Sequence, residues 1–205
     1  MALAKFSWTA ERRWSEACRR ARGEGGFSLL ETLVATTILA TALATLAQLF
    51  VMSTQANNGA KATSYAAALA QQKMEQLRGL TFGFDNLGLP ITDYATKTTT
   101  AAEDVTGGRG LTPSDTNSLK QNLDGYCDFV DQFGTVLGGG TVPPLGTVYI
   151  RRWSIEPLPT NPNNTLVFQV LVTRNRDRGA ADTSADVKRL PDEARIISVK
   201  TRKAQ

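Results

Sequence analysis

Residues 25–52 read GGFSLLETLVATTILATALATLAQLFVM, and this stretch decides the fold class of the 205-residue chain. No charged residue occurs from Thr32 to Ala60. About 20 predominantly apolar residues cross a bilayer as a helix. Ile38, Leu39, Leu43, Leu46, Leu49, Phe50 and Val51 supply the bulk, with small Ala and Thr between them. Threonine hydroxyls bond back to the preceding helical turn, so they are compatible with a membrane helix. A buried core helix is the alternative, disfavoured by the length of the uncharged stretch and by the basic segment before it.

The charge of the chain is unevenly placed. There are 23 Lys plus Arg against 19 Asp plus Glu. Residues 1–26 hold six basic and three acidic groups, whereas the remainder holds 17 and 16. The basic excess therefore precedes the apolar run, where the positive-inside rule keeps it cytoplasmic and exports the body beyond the run. The main body has no cationic excess to mark a nucleic-acid binder, and none is expected as a partner. Arg151 and Arg152 beside Trp153 read more simply as part of an amphipathic strand.

Composition removes most catalytic readings. The chain has no histidine, which excludes a Ser-His-Asp triad, a Cys-His dyad and any histidine-containing zinc site. Cys18 and Cys127 are too few for a disulfide framework or a four-thiolate metal site. No cofactor is implied. At 41% apolar and 20% charged residues, the composition is that of a folded domain.

Glu31, at the head of the apolar run, does not suit a plain anchor. A carboxylate near hydrocarbon costs several kcal/mol unless paired, which makes it a functional candidate. Cutting the chain after Gly26 would create an α-ammonium group on Phe27, one helical turn away or facing Glu31 of a neighbouring chain. The segment Gly25-Gly26-Phe27-Ser28-Leu29-Leu30-Glu31 with its apolar run resembles the class III signal of type IV prepilins and type II secretion pseudopilins. That resemblance implies cleavage after Gly26 by the prepilin peptidase, methylation of Phe27 and a role for Glu31 in subunit docking. It also implies other pilin subunits and an inner-membrane assembly platform with its ATPase as partners. The basic leader, residues 1–26, is longer than many in the family. The competing route is an ordinary secretory signal cut at Ala40-Thr41-Ala42 or Ala42-Leu43-Ala44, which would discard Glu31.

Beyond the run, residues 53–80 continue as an amphipathic helix. The segment from Ser64 to Arg78 is made mostly of strong helix formers, and Tyr65, Leu69 and either Gln72 or Lys73 step along one face beside Ala66, Met74, Leu77 and Leu80. Gly79 is the expected stop, with Arg78 suited to the helix dipole. A helix from Ser28 to Leu80 would be about 80 Å long. Asn57-Asn58-Gly59 leaves two readings open, a local melting point or a continuous helix.

Residues 81–147 read as loop-rich. Thr98–Thr100 and Gly107–Gly110 suggest a loop or mobile insert, and Gly138–Gly140 with Pro143-Pro144 a second loop. Asp124, Asp128 and Asp131 offer oxygen ligands for calcium, as in some pseudopilins. Their spacing is not that of an EF-hand, and solvated turn acids are the preferred reading. Strands are expected at 148–155, 166–173 and 194–201, joined by a hairpin loop and a longer connection, as an antiparallel meander stacked on the amphipathic half-helix.

The expected fold is therefore α+β: a long N-terminal hydrophobic helix packed on a C-terminal antiparallel β-sheet, which matches the pilin fold. Residues 27–52 form the transmembrane and assembly half of the helix, 53–80 its amphipathic half and 81–205 the β-rich body. Residues 69–78 and 149–153 resemble minor pilins of the PilV type and the related minor pseudopilin of type II secretion. Many major pilins carry a proline midway along the buried helix, absent here between residues 28 and 89, and a C-terminal disulfide, which Cys127 alone cannot form within one processed chain. The resemblance implies a minor structural subunit of a type IV pilus, not an enzyme, inserted in the inner membrane with a cytoplasmic N-terminus and then carried in a periplasmic or cell-surface filament. A type II secretion pseudopilin is the alternative within the class. A membrane-anchored ligand-binding protein or adhesin is the alternative outside it.

Overall fold

A computed structural model of the chain describes residues 26–100, 105–175 and 193–202. The proposed leader up to Gly25, including Cys18, lies outside the described residues, as does most of the connection between the last two strands. The chain divides into two units, Met1–Ser53 and Thr54–Gln205.

Among the described residues one continuous helix, α1, spans Leu29–Gly79 and ends at the expected glycine. It runs through Asn57-Asn58-Gly59 without interruption, so the continuous reading holds. In the second unit its buried residues are Ala62, Ala66, Leu69, Ala70, Lys73, Met74 and Leu77. Their spacing of three and four residues is the stripe by which a helix covers a sheet. Alanine at 62, 66 and 70 lets the backbone approach closely, while Leu69, Met74 and Leu77 fill the space between.

The sheet under this stripe has five strands in the order β4-β3-β5-β6-β7, every neighbouring pair antiparallel. They are β3 (Cys127–Val130), β4 (Val136–Gly139), β5 (Tyr149–Pro157), β6 (Thr165–Arg174) and β7 (Ala194–Thr201), preceded by a small hairpin of β1 (Phe82–Phe84) and β2 (Pro90–Thr92). The last three match the expected meander within two residues. The first two of the sheet lie in the loop-rich stretch 81–147, where no strand was expected, and Gly138 and Gly139 belong to β4 rather than to a loop. A bulge between Phe129 and Val130 shifts the β3–β4 register.

Strand parity sorts the side chains. Trp153 pairs with Val170 and Ile155 with Phe168, and all four join the helix stripe in the main core. The opposite face carries a smaller cluster of Cys127, Phe129 and Ile150. The Cys127 thiol is buried and donates to the Gly140 carbonyl at 2.9 Å.

The described part of the Thr98–Gly110 region is anchored to the body. Thr98 and Thr99 are buried, and Thr96 bridges Thr106. A Cβ on Gly108 would sit 2.2 Å from the Lys97 Cα, so only glycine permits that backbone approach. The chain end is tied to the hairpin by Arg202, which donates to the Gly83 and Ile91 carbonyls and lies 4.2 Å over the Phe82 ring. Lys200 donates to the carbonyls of Arg78 and Leu80, closing off the C-terminal end of α1.

Candidate functional site

The N-terminal half of α1 has the composition of a core and the exposure of a surface. Phe27, Leu30, Leu33, Ile38, Leu43, Leu49 and Phe50 are all exposed, as are the large residues between them. No residue of its most apolar window is buried, and α1 is long and apolar enough to cross a membrane. Its threonine hydroxyls are turned inward. Thr32 donates to the Leu29 carbonyl at 2.9 Å, Thr37 to Leu33 at 2.7 Å and Thr45 to Ala42 at 2.8 Å. Thr36 and Thr41 do the same toward carbonyls three and four residues back. Each of these hydroxyls is thereby satisfied by its own helix, and the surface turned outward is apolar apart from Gln48.

Glu31 is the charged exception. It lies exposed in the first turn of α1, where the free N–H groups and the helix dipole favour a negative charge. Among the described residues no side chain pairs with its carboxylate. Phe27 is 79% exposed, and Gly26 precedes the helix outside any helix or strand, with open space around the position a Cβ would take. Gly26, Phe27 and Glu31 thus lie within six residues at the head of an exposed apolar rod.

A second cluster was not anticipated from the sequence. Asp128 on β3, fully buried, receives Lys73 Nζ at 2.7 Å, Arg151 Nε at 2.7 Å and Arg151 Nη2 at 2.8 Å. Lys73 also donates to Gln76 Oε1 at 2.7 Å and to the Thr98 carbonyl at 2.6 Å, and its ammonium lies 4.4 Å above the Trp153 ring. Arg151 Nη1 reaches Gln72 Oε1 at 3.0 Å. Two cations and one anion leave one net positive charge inside, met by carbonyl and amide oxygens and by the face of an indole. Burial drives the Lys73 pKa down from 10.5 to about 8, against the opposing pull of Asp128. The cluster bolts α1, β3, β5 and the Thr98 segment together, and its three charged side chains are buried, so its role is architectural.

The three acids weighed as calcium ligands go to separate tasks. Asp128 is spent on the two cations, Asp124 is exposed, and Asp131 accepts from the backbone N–H groups of Phe133 and Thr135, both at 2.8 Å, closing the β3–β4 turn. These hydrogen bonds outweigh desolvation and hold the Asp131 carboxyl below its ordinary pKa. Among the described residues no three carboxylate or thiol groups gather to hold a metal.

No family model matches the chain, and neither does any curated protein or solved structure.

Proposed function

We propose that this chain is a minor-pilin-like structural subunit of a type IV pilus, cut after Gly26, methylated on Phe27 and assembled through the N-terminal half of α1. The observation that carries the reading is an exposed apolar helix whose threonines satisfy themselves and at whose head Glu31 is exposed with no side-chain partner among the described residues. Such a helix is suited to two environments in turn, lipid before assembly and other helices after it. Lipid is as apolar as leucine, so the exchange gains little from the hydrophobic effect. Close approach at Ala35, Ala40, Ala42, Ala44 and Ala47 and a Glu31 carboxylate facing a neighbour's Phe27 ammonium would supply the specificity. The α+β body, with the C-terminal half of α1 laid on an antiparallel sheet, supports the pilin resemblance drawn from residues 25–31.

The test is Glu31→Val. The variant is expected to insert in the membrane as the wild type does, since it removes a charge from an apolar segment, and to be absent from sheared filaments. Incorporation at the wild-type level would overturn the docking role. Membrane insertion followed by secretion defects, with no pilus present, would move the subunit to the type II secretion class.

A further inference from the structure

Contacts within the second unit give its strands a direction relative to the C-terminal half of α1. Tyr65 packs on Tyr149 at 5.4 Å between ring centroids, and the Lys73 ammonium lies 4.4 Å over the ring of Trp153. The eight residues between the two helix positions span about 12 Å and the four between the strand positions about 13 Å, so β5 runs beside the helix in the same sense. The start of β5, and with it the end of antiparallel β3, therefore lies toward Thr54, where this unit begins. Gln132, in the turn that follows β3, accordingly lines one groove with Gln55 and Asn58.

Two tight turns stand at this end, and each holds a large apolar side chain away from the body. In the β3–β4 turn the Asp131 carboxylate accepts from the N–H groups of Phe133 and Thr135, yet Phe133 is 80% exposed. Before β5 the Thr147 hydroxyl donates to the Pro144 carbonyl at 2.7 Å, and Leu145 between them is fully exposed. These hydrogen bonds fix both turns without drawing either side chain inward. Gln55 and Asn58 follow Met52, the last large apolar residue of the run, by three and six positions, about 5 and 9 Å along a helix. The headgroup layer is about 5–7 Å deep on each side of the hydrocarbon, which brings the turn that carries Phe133 to its level.

We propose that Phe133 and Leu145 dip into the headgroup layer of the bilayer that holds the chain before assembly. The proposal rests on the reading of residues 29–52 as a membrane span. Aromatic and aliphatic side chains at the rim of a span lie at the boundary of headgroup and acyl chain, where their apolar surface leaves water. The two turns seat the body on the lipid surface, and extraction into a filament lifts it off.

The test is lipid quenching of the full-length chain in phosphatidylcholine vesicles that contain a lipid with a nitroxide just below its headgroup. Phe133→Cys, Leu145→Cys and Leu87→Cys each carry an NBD label in a Cys18→Ser chain, Cys127 being buried. Leu87 is as exposed as Phe133 but stands at the tip of the β1–β2 hairpin, which follows the C-terminal end of α1. The labels at 133 and 145 are expected to lose their fluorescence to the nitroxide lipid, and the label at 87 to keep it. Equal quenching at all three positions, or its absence at 133 or at 145, would overturn the proposal. A label at 133 shielded from aqueous iodide yet untouched by the nitroxide would mean a protein neighbour there and overturn the lipid contact. Carbonate extraction of the same vesicles separates the two readings. A chain released by carbonate fails the membrane span and the proposal with it, whereas a chain that stays but shows no quenching at 133 and 145 fails the proposal alone.

Discussion

Asp128 stands between two buried cations, and the cost of removing it comes from that position. Asp128→Asn keeps the shape but leaves Lys73 and Arg151 facing each other with no anion. Breaking a buried pair in this way costs about 3–5 kcal/mol. Urea unfolding of the detergent-solubilised chain should show that loss, and a change below about 1 kcal/mol would contradict the buried network. Lys73 gives a pH signature. Its folded pKa is lowered to about 8 from 10.5, so the unfolded chain keeps the proton over an interval in which the folded chain has released it. The stability of the wild type relative to Lys73→Met is therefore expected to be flat below pH 8 and to rise between pH 8 and 10.5. A fall across that interval would mean that the ammonium is favoured by folding. Both residues were readable in principle. Arg151 shares strand parity with Tyr149, Trp153 and Ile155, and Lys73 lies four residues from Leu69 and from Leu77. The sequence left Gln72 and Lys73 as alternatives on the inner face, because nothing local shows that Asp128, 55 residues from Lys73, is brought between the two cations.

At the scale of elements, the long helix and the three C-terminal strands were legible because each carries its own periodicity. Strands β3 and β4 were not. Each has four residues, β3 contains an aspartate that is tolerable only beside Lys73 and Arg151, and β4 ends in two glycines. Their strand character comes from their partners: β3 lies between β4 and β5. Two glycines separate the local from the tertiary requirement. Gly59 is helical with open space at its Cβ position, so Gly59→Ala is expected to stabilise the chain by about 0.5–1 kcal/mol through helix propensity. Gly108→Ala is expected to destabilise by about 1–3 kcal/mol, because its Cβ would collide with the Lys97 backbone. Thermal melts of the two variants should move in opposite directions. A neutral Gly108→Ala would contradict the packed arrangement of that loop.

For the whole molecule, the division into a helical unit ending at Ser53 and a body starting at Thr54 lies close to the sequence boundary at residue 52. The proposed processing motif rests on residues 25–31 alone, a short local stretch tied to a charge in an otherwise uncharged segment. The body's groove and ion cluster were not legible, because each is assembled from residues tens of positions apart. The proposed role as a filament subunit requires the cut at Gly26, and the mass of the N-terminal peptide from membrane-extracted protein tests it most directly. With prepilin peptidase present, the chain is predicted to begin at N-methyl-Phe27, and without the peptidase to keep its leader. A start near Leu43 or Thr45 would mean a secreted soluble body, and an intact Met1 chain in the presence of active peptidase would mean a fixed anchor; either would contradict a filament subunit.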